Sequence, residues 1–288
     1  MKVAVITDSN SGMTQKQGED AGIYVVPMPF MMNGETFYED VSLSRSEFYE
    51  KLDSGVDIST SQPSPADILD LWNKILKDFD QIVHIPMSSG LSSACQTALL
   101  LAEDYEGKVF VVNNQRISVT LRQSALDAKQ MAESGMTGSE IKEKLEATKM
   151  ESTIYITVDT LEHLKKGGRI TPAAAMIGSL LKIKPVLTIQ GDKLDAHAKA
   201  RTMKQARSIM ITAIQKDMAE RFHDPYGKHT KIAVVHSNNE AAALELKQEL
   251  KELFPETGEI YVDHLSLSVC CHTGSGALAI ACTKNLEL

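Results

Sequence analysis

Hydroxyl-bearing side chains are concentrated in four short loops of this sequence. The loop sequences are DSNSG (residues 8–12), STSQPSP (59–65), MSSGLSS (87–93) and HTGSG (272–276). Hydroxyls and backbone N–H groups at the starts of helices favour an anion such as a carboxylate or a phosphate. The same residues are also ordinary helix N-caps, so a cap and a binding site are both open interpretations of each loop.

The elements that position these loops alternate between strand and helix. Short apolar strands are predicted at residues 3–7, 81–86, 108–113, 153–158 and 231–236. Helices are predicted from Pro65 and at about residues 93–103, 118–133, 203–221 and 239–253. This alternation indicates parallel βαβ units. We expect all four loops beyond the carboxyl ends of strands in an open parallel sheet, where ligands bind.

The chain of 288 residues is long enough for two domains. The fold class predicted is α/β, with an N-terminal domain over residues 1–150 and a C-terminal domain over residues 151–288. A Rossmann-like parallel sheet is expected in the first domain. The dipeptide Asn33-Gly34 between apolar runs predicts a hairpin, and so a small β insertion at about residues 24–45. A second hairpin is predicted around Gly191-Asp192.

Two segments are rich in small apolar residues. AAAMIGSLL (residues 173–181) follows a predicted cap at Thr171 and predicts a helix that is buried all round or lines an apolar space. HTGSGALAIAC is expected to be a glycine loop that opens a helix. Small residues allow close helix packing or leave room for a long, thin ligand. An apolar channel that ends in hydroxyl and N–H donors would be complementary to a fatty acid.

Composition excludes several other functions. The net charge of −8, with no basic run, argues against nucleic-acid binding. No apolar stretch reaches the length of a signal peptide or a membrane helix, so we expect a cytoplasmic protein without an integral membrane segment. Four cysteines without CxxC spacing indicate neither zinc nor disulfides. No P-loop, G-x-G-x-x-G motif or acidic metal cluster is present, and no metal or other cofactor is expected.

An enzyme remains an open alternative at this stage. Ser61 or Ser89 with His272 as base would make a serine hydrolase acting on an acyl substrate, although no G-x-S-x-G elbow occurs. A small-anion or phosphate-binding regulator is the other alternative.

Six motifs in order resemble those of the DegV family of bacterial fatty-acid-binding proteins, which includes the lipid-binding subunits of fatty acid kinase. The motifs are TDSNSG (residues 7–12), TSQPSP (60–65), IPMSSGLSSACQTA (85–98), LEHLKKGGRIT (161–171), LKIKPVL (181–187) and HTGSGALAIA (272–281). The resemblance runs essentially from end to end. It implies a two-domain protein that holds one fatty acid in a tunnel between the domains and performs no chemistry of its own.

The resemblance also implies a partner and a headgroup site. Family members present the carboxyl end to a kinase, which makes acyl phosphate with ATP, and transient contact with a membrane surface is compatible with this role. The carboxylate would be held by Thr60, Ser61, Ser89 and His272. Ser93 and Ser275 replace the usual Gly and Pro of the family motifs.

Two arginines match family arginines near the ligand exit. Arg169 follows the glycine pair of KKGGR, and Arg201 lies in KART. The resemblance implies that both face the headgroup or the kinase. A structural ion pair for Arg169 and a solvated helix position for Arg201 are the alternatives.

Overall fold

The structure is a computed structural model that describes residues 1–39, 41–177, 183–191 and 193–286. These residues form two compact units. The first comprises residues 1–45 and 57–149, and the second comprises residues 46–56 and 150–286. Strands and helices occur together in both units, which confirms the predicted α/β class. None of the helices in these ranges combines the length and the apolar character of a membrane-spanning segment.

Strands and helices alternate through most of the first 149 residues, apart from the strands β2 to β4 and the helices α5 and α6. In chain order they are β1 (Val3–Asp8), α1 (Gln15–Ala21), β2 (Ile23–Val26), β3 (Pro29–Met32), β4 (Glu35–Tyr38), α2 (Arg45–Asp53), β5 (Ile58–Thr60), α3 (Pro65–Ile75), β6 (Gln81–Ile85), α4 (Ala94–Ala102), β7 (Val109–Val111), α5 (Ser118–Glu133) and α6 (Gly138–Ala147). From Ser46 onward, α2 belongs to the second unit.

The predicted Rossmann-like layer is the parallel sheet of the first unit. Its strand order is β2-β1-β6-β7, and all neighbours run parallel. Thr7 of β1 stands opposite Ile85 of β6, so both strands end at the same edge. Apolar side chains of the sheet pack with those of α3 and α4 in one core, where Trp72 is fully buried.

The predicted β insertion is a small antiparallel sheet of order β4-β3-β5. β3 and β4 are joined by Asn33-Gly34, and both residues have positive φ (51° and 82°), as a two-residue type I′ turn requires. β5 pairs with β3 and places Thr60 opposite Phe30. The expectation that STSQPSP follows a strand of the parallel sheet is therefore wrong, since β5 completes the insertion instead.

The second unit is built on a mixed sheet. Its elements are β8 (Ser152–Thr157), α7 (Glu162–Gly167), α8 (Pro172–Ile177), β9 (Lys184–Ile189), β10 (Asp195–Ala200), α9 (Met203–Glu220), β11 (Thr230–His236), α10 (Glu240–Leu253), β12 (Tyr261–His264), α11 (Leu267–Thr273) and β13 (Leu278–Lys284). The strand order is β10-β9-β8-β13-β11-β12. Only the β11–β12 pair among these described strands is parallel.

The end of the chain corrects one prediction. ALAIAC was expected to be helical, but it forms β13, which lies between β8 and β11. β8 and β11 pair with its two edges, and because its residues from Leu278 to Thr283 are all buried, both of its faces are covered as well. A continuous apolar run is therefore typical of either a central strand or a buried helix, and periodicity cannot separate them.

Helix α8 excludes one of the two positions predicted for its small apolar segment. Thr171 caps it as expected, because its hydroxyl oxygen accepts a hydrogen bond from the Ala174 N–H at 3.2 Å. The helix is not buried all round, since Met176 is 74% exposed. Residues 178–182 of the same small apolar segment lie outside the described residues. The predicted hairpin of β9 and β10 is confirmed, although Asp192 of its turn is also outside them.

Candidate functional site

Asp8 joins the two loops that leave the parallel sheet of the first unit. It ends β1, and the residues Ser9–Ser11 after it form a 3₁₀ turn. Its carboxylate accepts hydrogen bonds from the Asn10 N–H at 3.0 Å and from the Met87 N–H, in the loop after β6, at 2.7 Å. Burial nevertheless raises the pKa of Asp8 to about 7, and the two N–H donors lower it only in part.

The loop STSQPSP reaches the same edge from the small antiparallel sheet. The Ser61 N–H donates to the Pro29 carbonyl oxygen at 3.4 Å, which continues the β5–β3 ladder by one residue. The Gln62 side chain then accepts a hydrogen bond from the Thr97 hydroxyl of α4 at 3.0 Å. Thr60 is half-buried and Ser61 is exposed. The loop is thus tied to the helix that follows MSSGLSS.

The two adjacent serines of MSSGLSS differ in their surroundings. Ser88 is buried, its N–H donates to the Arg116 carbonyl oxygen at 2.8 Å, and its hydroxyl oxygen accepts from the Gly90 N–H at 3.3 Å. Ser89 is half-buried, and its hydroxyl makes no hydrogen bond to any part of the chain that the structure describes. Ser88 therefore holds the loop, while the Ser89 hydroxyl is available to a ligand.

A small cavity of about 20 Å³ lies beneath these loops, between the sheet and helices α3 and α4. Its wall is mainly apolar, with four side chains of polar type. The lining residues are Asp8, Val26, Met28, Gln62, Pro63, Ile68, His84, Pro86, Ala94, Thr97, Ala98 and Leu101. This volume is enough for about one water molecule.

Sequence reasoning did not assign His84, Gln62 or Thr97 to the site. Gln62 and Thr97 stand inside two of the quoted motifs, so the motifs themselves contained that signal. His84 is a single histidine in the apolar strand β6, a position that gives no local signal of its role.

The second unit gathers its own polar loops at one edge of its sheet. Leu278, at the start of β13, stands opposite both Thr157 at the end of β8 and His236 at the end of β11. The loop HTGSG was expected beyond the carboxyl end of a strand, before a helix. It instead precedes an antiparallel strand, which brings it to the same edge as those two carboxyl ends.

Three glycines in this region leave space for three side chains. A Cβ added at Gly167 would lie 2.1 Å from Nδ1 of His272, and one at Gly274 would lie 2.8 Å from Cδ2 of His163. The packing is reciprocal. Helix α7 contains both His163 and Gly167, and Gly167 faces His272. His272 lies in α11 just before Gly274, and Gly274 faces His163. A Cβ added at Gly276 would lie 2.9 Å from a carboxylate oxygen of Asp159, which is in the loop before α7. These glycines let the two loops pack side chain against backbone.

His272 is a buried histidine close to two basic side chains. Burial above all, together with the charges of Arg169 and His163, lowers the pKa of His272 to about 4. The imidazole is therefore neutral at pH 7 and can donate a hydrogen bond without carrying a charge. Arg169 itself donates from Nη1 to the Gly167 carbonyl oxygen, so the guanidinium is held beside the histidine.

Arg201 lies at the turn between β10 and α9. Its backbone N–H donates to the Gln205 side chain at 2.8 Å, and its side chain is exposed. Ala200, the last residue of β10, stands opposite Lys184 at the start of β9, and Val186 of β9 stands opposite Thr157. Arg201 therefore leaves the sheet at the same edge as the loops around His272.

The predicted site residues thus fall into two sets. Thr60 ends β5, and Ser61 and Ser89 lie on loops above the cavity of the first unit. His272, Arg169 and Arg201 lie at one edge of the second sheet, where His272 and Arg169 interact. Their common role at a carboxylate stays a prediction.

Comparison with known proteins places the chain among close structural relatives. The model of the DegV family, described as a family of uncharacterised proteins, matches residues 2–285. The protein DegV of Bacillus subtilis strain 168 is 30% identical to the chain over 283 residues, which cover 97% of this chain and 98% of that protein.

Solved structures match over the same extent. A DegV family protein from Thermus thermophilus, described as binding fatty acid, has a TM-score of 0.90 and 29% identity, covering 99% of this chain and 100% of that one. The crystal structure of DegV from Bacillus subtilis, described as a fatty acid binding protein, has a TM-score of 0.87 and 29% identity, with the same coverage.

Proposed function

Because the chain belongs to the DegV family, we propose that it binds one long-chain fatty acid, whose headgroup lies at the hydroxyl-rich loops of the first unit. The Ser89 hydroxyl, which has no partner among the described residues, is the observation that carries this proposal, since it lies on one of these loops. The two solved relatives described as fatty-acid-binding support the ligand class. Burial of about 14 to 17 methylenes offers roughly 11 to 14 kcal/mol before the costs of association.

The carboxylate needs hydrogen-bond donors wherever it leaves water, because an unpaired buried carboxylate is costly or becomes protonated. We propose that the hydroxyls of Thr60, Ser61 and Ser89 supply them, with the neutral imidazole of His272 as a further donor. The unbonded Ser89 hydroxyl supports this assignment most directly.

A partner protein would catalyse the reaction of the bound fatty acid. We propose that the chain presents the carboxyl end to a cytoplasmic fatty acid kinase, which transfers a phosphoryl group to it from ATP, and that the chain is not itself an enzyme. The exposed guanidinium of Arg201 and the positive charge of Arg169 beside His272 are suited to that partner or to the phosphoryl group. Both arginines would act after the fatty acid is bound.

Mass spectrometry tests the ligand class. The purified chain should show a mass excess under native conditions that is lost on denaturation, and the released molecules should be long-chain fatty acids. A mass without excess, with no gain after incubation with hexadecanoic acid, would contradict the proposal.

Activity assays separate the alternatives. A serine hydrolase would turn over acyl esters, and Ser89→Ala would abolish that turnover. A phosphate-binding regulator would be stabilised by phosphate compounds and not by fatty acid. Formation of acyl phosphate with kinase and ATP, dependent on this chain and reduced by Arg169→Ala and Arg201→Ala, would establish the presentation step.

A further inference from the structure

Ser237 holds the turn between α11 and β13 through its side chain. The residue directly follows β11 and is fully buried. Its hydroxyl donates a hydrogen bond to the Gly274 carbonyl oxygen at 2.6 Å and accepts one from the Ala277 N–H at 2.9 Å. One hydroxyl group therefore ties together the two ends of the turn.

The residues around Ser237 bond to the same turn. The carbonyl oxygen of Ser237 accepts a hydrogen bond from the Gly276 N–H at 2.7 Å. Asn238 donates from Nδ2 to the Ser275 hydroxyl at 3.3 Å. Asn239 donates from Nδ2 to the Gly276 carbonyl oxygen at 3.2 Å. Three consecutive residues after β11 thus hold the turn that ends α11.

The turn depends on these contacts because its own backbone is permissive. Gly274 and Gly276 both have positive φ (73° and 86°), and ordering a glycine costs more conformational entropy than ordering any other residue. Ser275 between them does not fix φ as a proline would. The Gly274 N–H closes α11 by donating to the Cys270 carbonyl oxygen at 2.9 Å, and the Ser237 hydroxyl fixes the carbonyl group of the same residue.

The position of this turn determines the position of His272. That histidine lies in the last turn of α11, two residues before Gly274. Its ring packs against Gly167 of α7, and Gly274 packs against His163 of the same helix, with no room for an added Cβ at either glycine. A shift of the turn would therefore move the imidazole relative to α7.

Resting on the role of His272 proposed above, we propose that Ser237 positions the His272 imidazole for the fatty acid carboxylate. Loss of the Ser237 hydroxyl would remove the donor to the Gly274 carbonyl and the acceptor of the Ala277 N–H, so the turn would relax. A hydrogen bond weakens steeply when its donor is misaligned, so a displaced imidazole would hold the carboxylate less well. Ser237 would thus act through His272 and not as a ligand contact.

Two measurements on the delipidated full chain test this inference. Ser237→Ala should weaken binding of hexadecanoic acid about five-fold, which is part of the value of one hydrogen bond to a carboxylate. In an NMR titration of the same variant, the pKa of His272 should rise from about 4 towards its ordinary value of 6.5, because a displaced ring gains contact with water.

Thr230→Val is the matched control. Its buried hydroxyl bonds to the Asp224 carboxylate at 2.8 Å, at the opposite end of β11 from Ser237. The substitution should lower stability, as Ser237→Ala does, but it should change neither the affinity for hexadecanoic acid nor the pKa of His272.

Two further variants make the test specific to positioning. In a His272→Ala background, Ser237→Ala should cause no further loss of affinity, because the group that it positions is already absent. Asn239→Ala removes the bond to the Gly276 carbonyl oxygen, and its side chain makes no cap hydrogen bond to α10. It should therefore produce a smaller change of the same kind, and it serves if Ser237→Ala does not fold.

The outcomes separate this inference from the function on which it rests. Wild-type affinity and an unchanged pKa of His272 in Ser237→Ala would overturn the inference and leave fatty acid binding in place. An equal loss of affinity with and without His272 would show that Ser237 does not act through the imidazole. Failure of the wild-type chain to bind hexadecanoic acid would overturn the proposed function, while the titration of His272 would still decide whether Ser237 positions the ring.

Discussion

The Thr97 hydroxyl of α4 donates a hydrogen bond to the Gln62 side chain at 3.0 Å. This bond connects the loop after β5 to helix α4, joins residues 35 positions apart in the chain, and lies between two residues that line the cavity. The hydroxyl-rich loop after β5 belongs to a different sheet from β1 and β6. Side-chain contacts of this kind therefore bring it to the parallel sheet's edge.

A double-mutant cycle on this pair measures the contact. Thr97→Val and Gln62→Leu should each lower the free energy of unfolding, and together they should cost less than the sum. We expect a coupling of about 0.5 to 1.5 kcal/mol, from chemical denaturation. Thr212→Val is the control, because its hydroxyl bonds only to a carbonyl oxygen of its own helix. Strict additivity would show that the bond does not stabilise the fold.

The adjacent serines of MSSGLSS should separate stability from binding. Ser89→Ala should leave the free energy of unfolding within about 0.5 kcal/mol of the wild-type value, because its hydroxyl has no partner among the described residues. It should weaken fatty acid binding by about ten-fold, the value of one hydrogen bond to a carboxylate. Ser88→Ala should instead lower stability by about 1 kcal/mol, since the bond to the Gly90 N–H is lost. The reverse pattern would assign the ligand contact to Ser88.

Gly167→Ala should displace His272. The added methyl group would lie 2.1 Å from the imidazole nitrogen, so the side chain must move. We expect a loss of stability of about 1 to 3 kcal/mol, together with weaker fatty acid binding. The loss should be much smaller when His272→Ala is already present. Gly258→Ala is the matched control, because a Cβ there meets no atom within 4 Å.

Asp8 and His84 should give stability slopes of opposite sign with pH. The pKa of Asp8 is raised from 3.8 to about 7. Its contribution to the free energy of unfolding is therefore present below pH 4 and is lost as the pH rises through 7. The pKa of His84 is lowered from 6.5 to about 3, so its contribution is present above pH 6.5 and is lost as the pH falls towards 3. Between pH 4 and 6.5 the two slopes oppose each other.

Single variants should reveal each slope. Between pH 4 and 6.5 the free energy of unfolding of Asp8→Asn should rise with pH, and that of His84→Phe should fall. The slope of each variant should differ from the wild-type slope by roughly 1.4 kcal/mol per pH unit. Denaturation series at several pH values measure this. Variants with the wild-type slope would show that neither group titrates abnormally.

Local chemistry made much of the fold predictable from the sequence. Asn33-Gly34 specifies its turn because both residues tolerate positive φ, and Thr171 specifies a helix start through its own hydroxyl. Helix α5 spans Ser118–Glu133, as the apolar periodicity predicts. The family motifs likewise indicated the ligand class, since several of them occur in order.

Long-range packing decided the rest. ALAIAC forms a strand because β8 and β11 pair with its two edges, and no local signal distinguishes such a strand from a buried helix. Which of Ser88 and Ser89 is bonded depends on the carbonyl oxygen of Arg116, which comes from a distant loop. The buried Nδ1 of His84, which has no hydrogen-bond partner among the described residues, and the raised pKa of Asp8 arise from burial between sheet and helices. The sequence alone therefore predicted most of the elements and, through the family motifs, a class of ligand, whereas burial in the tertiary structure decided which polar groups are bonded and in what charge state they are held.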